Sequence, residues 1–162
     1  MKKLLYLLLV IPFAMMVSSC SNDNDLPNVD ITMTFDNAAV KDGAVYVLQD
    51  SVFSITGITT KAVDSKQQSA IANIYYFWNG IPAPSLTWSG LPMEIDMAKM
   101  PQPEDGENIL GLRATLLETD KSMAYTALSV PIIAVENEEA LPDGLVIGEA
   151  TLTFGNNPQS SK

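Results

Sequence analysis

The sequence predicts an all-β fold, an antiparallel β-sandwich of about seven to nine short strands. Three observations carry that expectation. Apolar and polar residues alternate with period two in segment after segment. β-Branched and aromatic residues fill the runs that do not alternate, and turn signals recur between them. No ten-residue window combines helical spacing with freedom from breakers.

"VDITMTF" gives the cleanest alternation, with Val29, Ile31, Met33 and Phe35 on one face and Asp30, Thr32 and Thr34 on the other. "SVFSITGITT" and "AIANIYYFWNG" follow as strands by composition. "LPMEIDM" sets Leu91, Met93, Ile95 and Met97 against Glu94 and Asp96. "ILGLRATLLE" places Leu110, Leu112, Ala114 and Leu116 opposite Arg113 and Thr115, and "YTALSVPIIAV" keeps Thr126, Leu128, Val130 and Ile132 in register. Turns are expected at "KDG" (41–43), "NG" (79–80), "EDGEN" (104–108) and "TDKS" (119–122). Beyond the acidic link "ENEEALPDG", "LVIGEATLTF" reads as one more strand, with Val146, Gly148, Ala150, Leu152 and Phe154 on one side. That strand is free to add at a sheet edge or to dock against a neighbour. "GNNPQSSK" is a polar end.

The amino terminus carries an address. Lys2 and Lys3 precede an apolar run from Leu4 to Val17 broken only by Pro12, the layout of an export signal. The run falls short of the roughly 20 residues that span a bilayer as a helix. Cys20, the sole cysteine, follows at once in "MVSSC". This stretch resembles the lipobox of bacterial lipoproteins, with Val17 and Ser19 at the positions three and one before the cysteine. The resemblance implies cleavage after residue 19 and a lipid on Cys20. Each buried methylene of such a chain contributes about 0.8 kcal/mol, so two or three acyl chains anchor a protein without a spanning helix. The "CSNDND" that follows holds Asp23 and Asp25 among Asn22 and Asn24. It is similar to the export signal of Bacteroidetes-type surface lipoproteins, which implies an outer-membrane protein displayed on the cell surface. Retention on the periplasmic side is the alternative.

Composition narrows the function. The chain has 9 basic and 19 acidic residues, so loss of Lys2 and Lys3 with the signal moves the net charge from −10 to −12. Such a surface repels phosphate backbones and disfavours nucleic acid as a partner. Histidine is absent, which removes imidazole-based hydrolysis and imidazole metal sites. The one thiol is committed to lipid, and no phosphate-cradling glycine loop occurs. Glu104, Asp105, Glu107 and Asn108, with Glu118 and Asp120 further on, offer hard oxygen ligands for calcium. The two groups belong to opposite ends of one strand, so solvated turns are the preferred reading. No cofactor, metal or enzymatic activity is expected.

Residues 28–135 resemble the immunoglobulin-like or fibronectin-III-like domains of bacterial surface proteins. The carriers are Trp78, where the family keeps a core tryptophan on its third strand, and "DGENILGLRATLLETD" followed by "AYTALSVPIIAV" as a last hairpin. The family's cysteine pair and tyrosine corner are missing. The organisation expected is therefore a signal peptide (1–19), an acidic tether (20–27), the immunoglobulin-like β-sandwich (28–135), and a link, extra strand and tail (136–162).

Candidate sites follow from the faces. In "IYYFWNGIPAPSLTW", Ile74, Tyr76 and Trp78 share the core face, leaving Tyr75 and Phe77 outward with Trp88 close by in sequence. Flat aromatics beside amides suit sugar rings or a protein surface; the alternative is that the tail strand or a loop covers them. The function expected is a non-enzymatic binding or adhesion module for a glycan or an envelope protein, held at the membrane through Cys20. A structural subunit or spacer of a larger outer-membrane assembly is the alternative. Finally, "DSV" (50–52) resembles the short O-glycosylation motif of the same bacteria, which implies a sugar on Ser51.

Overall fold

Period-two alternation becomes strand geometry over most of each stretch in which it was read, with Leu91, Met97 and Val146 left outside the strands. The computed structural model describes residues 29–62, 69–102, 107–118 and 123–155. Within them lie nine strands: β1 (Val29–Lys41), β2 (Ala44–Leu48), β3 (Val52–Ala62), β4 (Ser69–Trp78), β5 (Ile81–Pro82), β6 (Met93–Asp96), β7 (Glu107–Glu118), β8 (Met123–Val135) and β9 (Gly148–Gly155). The helical elements among the described residues are two single 3-10 turns, Trp88–Gly90 and Glu138–Ala140. None is long and apolar enough to cross a membrane.

The strands form one curled, largely antiparallel sheet in the order β5-β4-β7-β8-β2-β1-β3-β6, with β9 added beside β1. Curling brings the apolar faces of both arms together. Val29, Ile31, Met33 and Phe35 from β1, Phe53 and Ile55 from β3 and Ile95 from β6 join one core with Tyr76 and Trp78 from β4, Leu110 and Leu112 from β7 and Val130 and Ile132 from β8. Phe35 and Phe53 are the largest side chains fully enclosed there. Truncating either to alanine would cost about 3–5 kcal/mol.

Strand β1 is the joint. Its first eight residues pair with β3 on one side, Asp30 to Phe35 and Ala38 pair with β9 on the other, and Ala39, Val40 and Lys41 pair with β2. The phase of burial changes on the way, from Val29, Ile31, Met33 and Phe35 to Ala38 and Ala39. Asn37, at φ 58°, takes up the change. Its amide donates to the Val52 carbonyl at 2.6 Å, and its own N–H donates to Asp36 Oδ1 at 2.9 Å. The chain then reverses through Asp42 and Gly43, at φ 51° and 81°, the conformation that a two-residue hairpin turn requires.

Two pairings were not visible in the local pattern. Strand β2 runs parallel to β8, from Val45↔Ile132 to Leu48↔Val135, where the sequence suggested antiparallel pairs throughout. The β1–β2 turn decides this, because it sends β2 back along the direction that β8 already has. Strand β9 pairs antiparallel with β1 and buries Leu152, so the last strand adds to the chain's own sheet. Val146, grouped with it by alternation, lies outside β9 and is 79 % exposed.

The polar face of the β9-β1-β3 arm is a threonine surface. Thr32 and Thr153 hydroxyls meet at 3.0 Å, and Thr56 donates to Thr34 at 3.0 Å. Gly57 stands opposite Thr34, and a Cβ there would lie 2.6 Å from the Thr34 hydroxyl oxygen. Gly57→Ala should therefore lower stability by about 1–3 kcal/mol in urea denaturation, and Thr34→Ala in the same chain should recover most of the loss. An additive double variant would contradict this packing.

Candidate functional site

Strand β4 presents its two faces as alternation requires. Ile74, Tyr76 and Trp78 are buried, whereas Tyr75 is 62 % exposed and Phe77 half-buried. Directly after Trp78, Asn79 and Gly80 adopt φ 50° and 78° and turn the chain into β5, which pairs Phe77 with Pro82 and Trp78 with Ile81. Two prolines follow in quick succession, so the chain leaves the ladder after one more bond, Ala83 N–H to the Tyr76 carbonyl at 3.0 Å. It then folds over β4 as a loop. Leu86 anchors that loop in the core, and Leu86 N–H to the Ala83 carbonyl (3.0 Å) and Gly90 N–H to the Thr87 carbonyl (3.1 Å) stiffen it.

Between this loop and β4 lies a groove of about 540 Å³. Tyr75 and Phe77 form one wall, Pro82, Pro84 and Leu86 the other, and Asn73, Thr87 and Ser89 supply polar atoms at its margin. Tyr75 also borders a shallower hollow of about 330 Å³ with Arg113, Thr115 and Ala127. The structure thus brings Tyr75 and Phe77 together in one hollow. Trp88 contributes backbone to the 3-10 turn in the loop, and its side chain lies outside the described residues.

Phe77 is held rather than free. It stands opposite Gly111 on β7, where a Cβ would approach the Phe77 Cβ to 3.2 Å. The missing side chain at Gly111 lets the ring lean across the neighbouring strand. Arg113 then covers it, with its guanidinium carbon 4.8 Å from the ring centroid, a cation–π distance. Tyr75, directly opposite Arg113, is left as the exposed aromatic of the pair. Neither Gly111 nor Arg113 was singled out from the sequence, because cross-strand register determines which side chains meet.

A buried amide network fixes the far end of β4. Asn108 is fully buried; it donates to Gln102 Oε1 at 2.8 Å and accepts from Asn79 at 3.0 Å. Asn79 Oδ1 also accepts the Ile109 N–H at 2.8 Å, and the Trp78 indole donates to the Pro101 carbonyl at 2.9 Å. Asn108 was read as part of a solvated, cation-suited turn. Its amide instead ties the 97–102 segment to β4 and β7. Among the described residues no group of three acidic, cysteine or histidine side chains is placed to hold a metal ion.

The remaining expected sites are reported by position. Ser51 immediately precedes β3 and is half-buried, and its hydroxyl donates to the Leu48 carbonyl at 2.9 Å. Any sugar there requires that bond to open. Cys20, Asp23 and Asp25 lie outside the described residues. Asp96 is paired with Lys99 at 2.6 Å, and this surface ammonium holds its carboxyl below the usual range, which makes it a weaker base. No family model, curated protein or solved structure matches the chain.

The groove's inner wall contains one unsatisfied group. Tyr76 is 3 % exposed and its hydroxyl has no hydrogen-bond partner among the described residues; burial raises its pKa far above the usual tyrosine value, so it stays neutral. An orphaned buried hydroxyl costs about 1–3 kcal/mol. Tyr76→Phe should accordingly leave stability unchanged or raise it by up to that amount in urea denaturation. A clear loss of stability would contradict the assignment of an unpartnered hydroxyl.

Proposed function

We propose that this chain is a lipid-anchored, non-enzymatic binding module of the cell envelope, displayed on the outer-membrane surface. Its ligand site is the groove between β4 and the Pro82–Ser89 loop. The observation that carries this reading is the pairing of an exposed Tyr75 with a restrained Phe77 along one wall of an apolar hollow. A flat, pre-positioned aromatic wall loses little side-chain freedom on binding. Asn73, Thr87 and Ser89 at the rim offer the hydrogen bonds that a sugar's hydroxyls need. A glycan is therefore the preferred ligand, and an envelope protein is the other candidate. The net negative charge argues against nucleic acid.

The fold assignment behind this reading is the immunoglobulin-like sandwich, with β3 and β6 facing β4, β7 and β8. Trp78 buried on β4 and the long β7–β8 hairpin support it. The anchor rests on the signal-like residues 1–19 and on Cys20, and outward display rests on Asp23 and Asp25. A second reading, a structural subunit of a larger assembly, draws on the outer edge of β9, which among the described residues pairs with β1 alone.

A glycan array probed with the intact chain tests the binding reading. Tyr75→Ala should abolish a measured signal, and Trp88→Ala should weaken it if that side chain shares the site. Silence on every glycan, with an envelope protein co-purifying instead, would move the assignment to the second reading. The anchor is tested separately. Cys20→Ala should shift the protein out of the membrane fraction or leave an unprocessed precursor. Mature membrane-bound protein with an unmodified Cys20 thiol would refute lipidation.

A further inference from the structure

Sheet edges invite pairing with other chains unless they are blunted. The outer edge of β4 is blunted in three ways. Its register shifts between Ile71 and Asn73, the Asn73 side chain accepts the Ile74 N–H at 2.9 Å, and Pro82 and Pro84 follow in the adjoining segment. From Ala150 to Gly155 the outer edge of β9 has none of these devices; the one register shift in its ladder with β1, between Phe35 and Ala38, falls at its Gly148 end. Its eight residues, "GEATLTFG", contain no proline and no basic residue, and among the described residues they pair with β1 alone. Glu149, near one end, is the single charge.

We propose that β9 pairs antiparallel with β9 of a second copy of this chain, in the register that sets Leu152 opposite its own counterpart. Side chains alternate with period two, so only registers that match even with even residues keep each copy's apolar face on the core side. Among these, the Leu152-centred register is favoured on both faces. On the polar face it places Thr151 opposite Thr153 of the other copy, twice. The rows that already cross the arm, Thr59–Thr32–Thr153 and, ending at Gly57, Thr34–Thr151, then run on from one copy into the next through their threonines. Hydroxyl pairing of this kind is already made within the chain, between Thr32 and Thr153 at 3.0 Å, and such cross-strand pairs are stabilising. On the apolar face Leu152 meets Leu152, and the half-buried Phe154 meets the smaller Ala150.

Charge agrees with the same register. Glu149 falls opposite Gly155, so the two carboxylates of the dimer never face one another. The contact is isologous and closes as a pair, so it does not propagate into a fibre. The area is that of a strand edge, which places the association among weak, concentration-dependent contacts. It uses no residue of the β4 groove and stands independently of the binding reading.

The test uses the full chain with Cys20→Ala, so that engineered cysteines are the sole thiols. Thr151→Cys and Thr153→Cys are prepared separately, and both positions are exposed. Under mild oxidation a mixture of the two should yield disulfide-linked dimer, because residues 151 and 153 face each other across the pair. Either variant alone should give no disulfide-linked dimer. Light scattering on the Cys20→Ala chain with Thr151 and Thr153 unchanged, at high concentration, should give twice the monomer mass, and adding Thr151→Lys/Thr153→Lys should return it to monomer by setting like charges opposite each other. Disulfide-linked dimer from Thr151→Cys alone, none from the mixture, or a monomer mass at every concentration would each overturn the proposal.

Discussion

The bend in β1 is the constraint on which the rest of the molecule depends. One strand serves two arms of the sheet, and it can do so only if its apolar side stays on the core while its partners change. A thirteen-residue strand with unbroken alternation would carry one face straight out of the core. Instead the register shifts between Phe35 and Ala38, and Asn37 adopts a left-handed conformation that few residues other than glycine tolerate. The Asn37 amide bond to the Val52 carbonyl then holds the start of β3 beside the bend. Small residues at Ala38 and Ala39 let the chain cross close to the core, where bulkier side chains would push the arms apart.

The groove inherits its shape from that closure. Its inner residues, Ile74 and Tyr76, belong to the core that the two arms share, so the outward angle of Tyr75 and Phe77 follows from packing beneath them. Two further restraints act on β4 itself. The Asn79–Asn108–Gln102 amides lock the turn end of the strand, and Gly111 with Arg113 fixes the Phe77 ring. Surfaces built on strands in this way hold their geometry better than surfaces built on loops alone. Only the Pro82–Ser89 wall is a loop, and it is tied down through Leu86.

Much of this was legible in the sequence, for a definite reason. Period-two alternation is a local signal, and it correctly sorted Val29, Ile31, Met33 and Phe35, and likewise Leu110, Leu112, Ala114 and Leu116, onto the core face. The same signal put Tyr75 and Phe77 outside. What it could not supply is register between distant segments. The parallel β2–β8 pair, the β1–β9 pair and the Arg113–Phe77 contact all depend on which residues meet across a ladder. Asn108 was misjudged because an acidic, glycine-containing stretch has the composition of a turn, and nothing local reveals that its amide reaches Gln102. The β1 bend was hidden too, since "FDNAAVK" carries no proline or glycine to mark it.

If β1 couples the two arms through a single core, they must unfold together. Native-state hydrogen exchange reads this directly, because each core amide reports the free energy of the opening that exposes it. The account expects Met33 and Ile55 in one arm to exchange with the same free energy as Leu112 and Val130 in the other, all at the level of global unfolding. Exchange of the β1–β3–β9 amides at a distinctly lower free energy, with the β4–β7–β8 amides still protected, would contradict it.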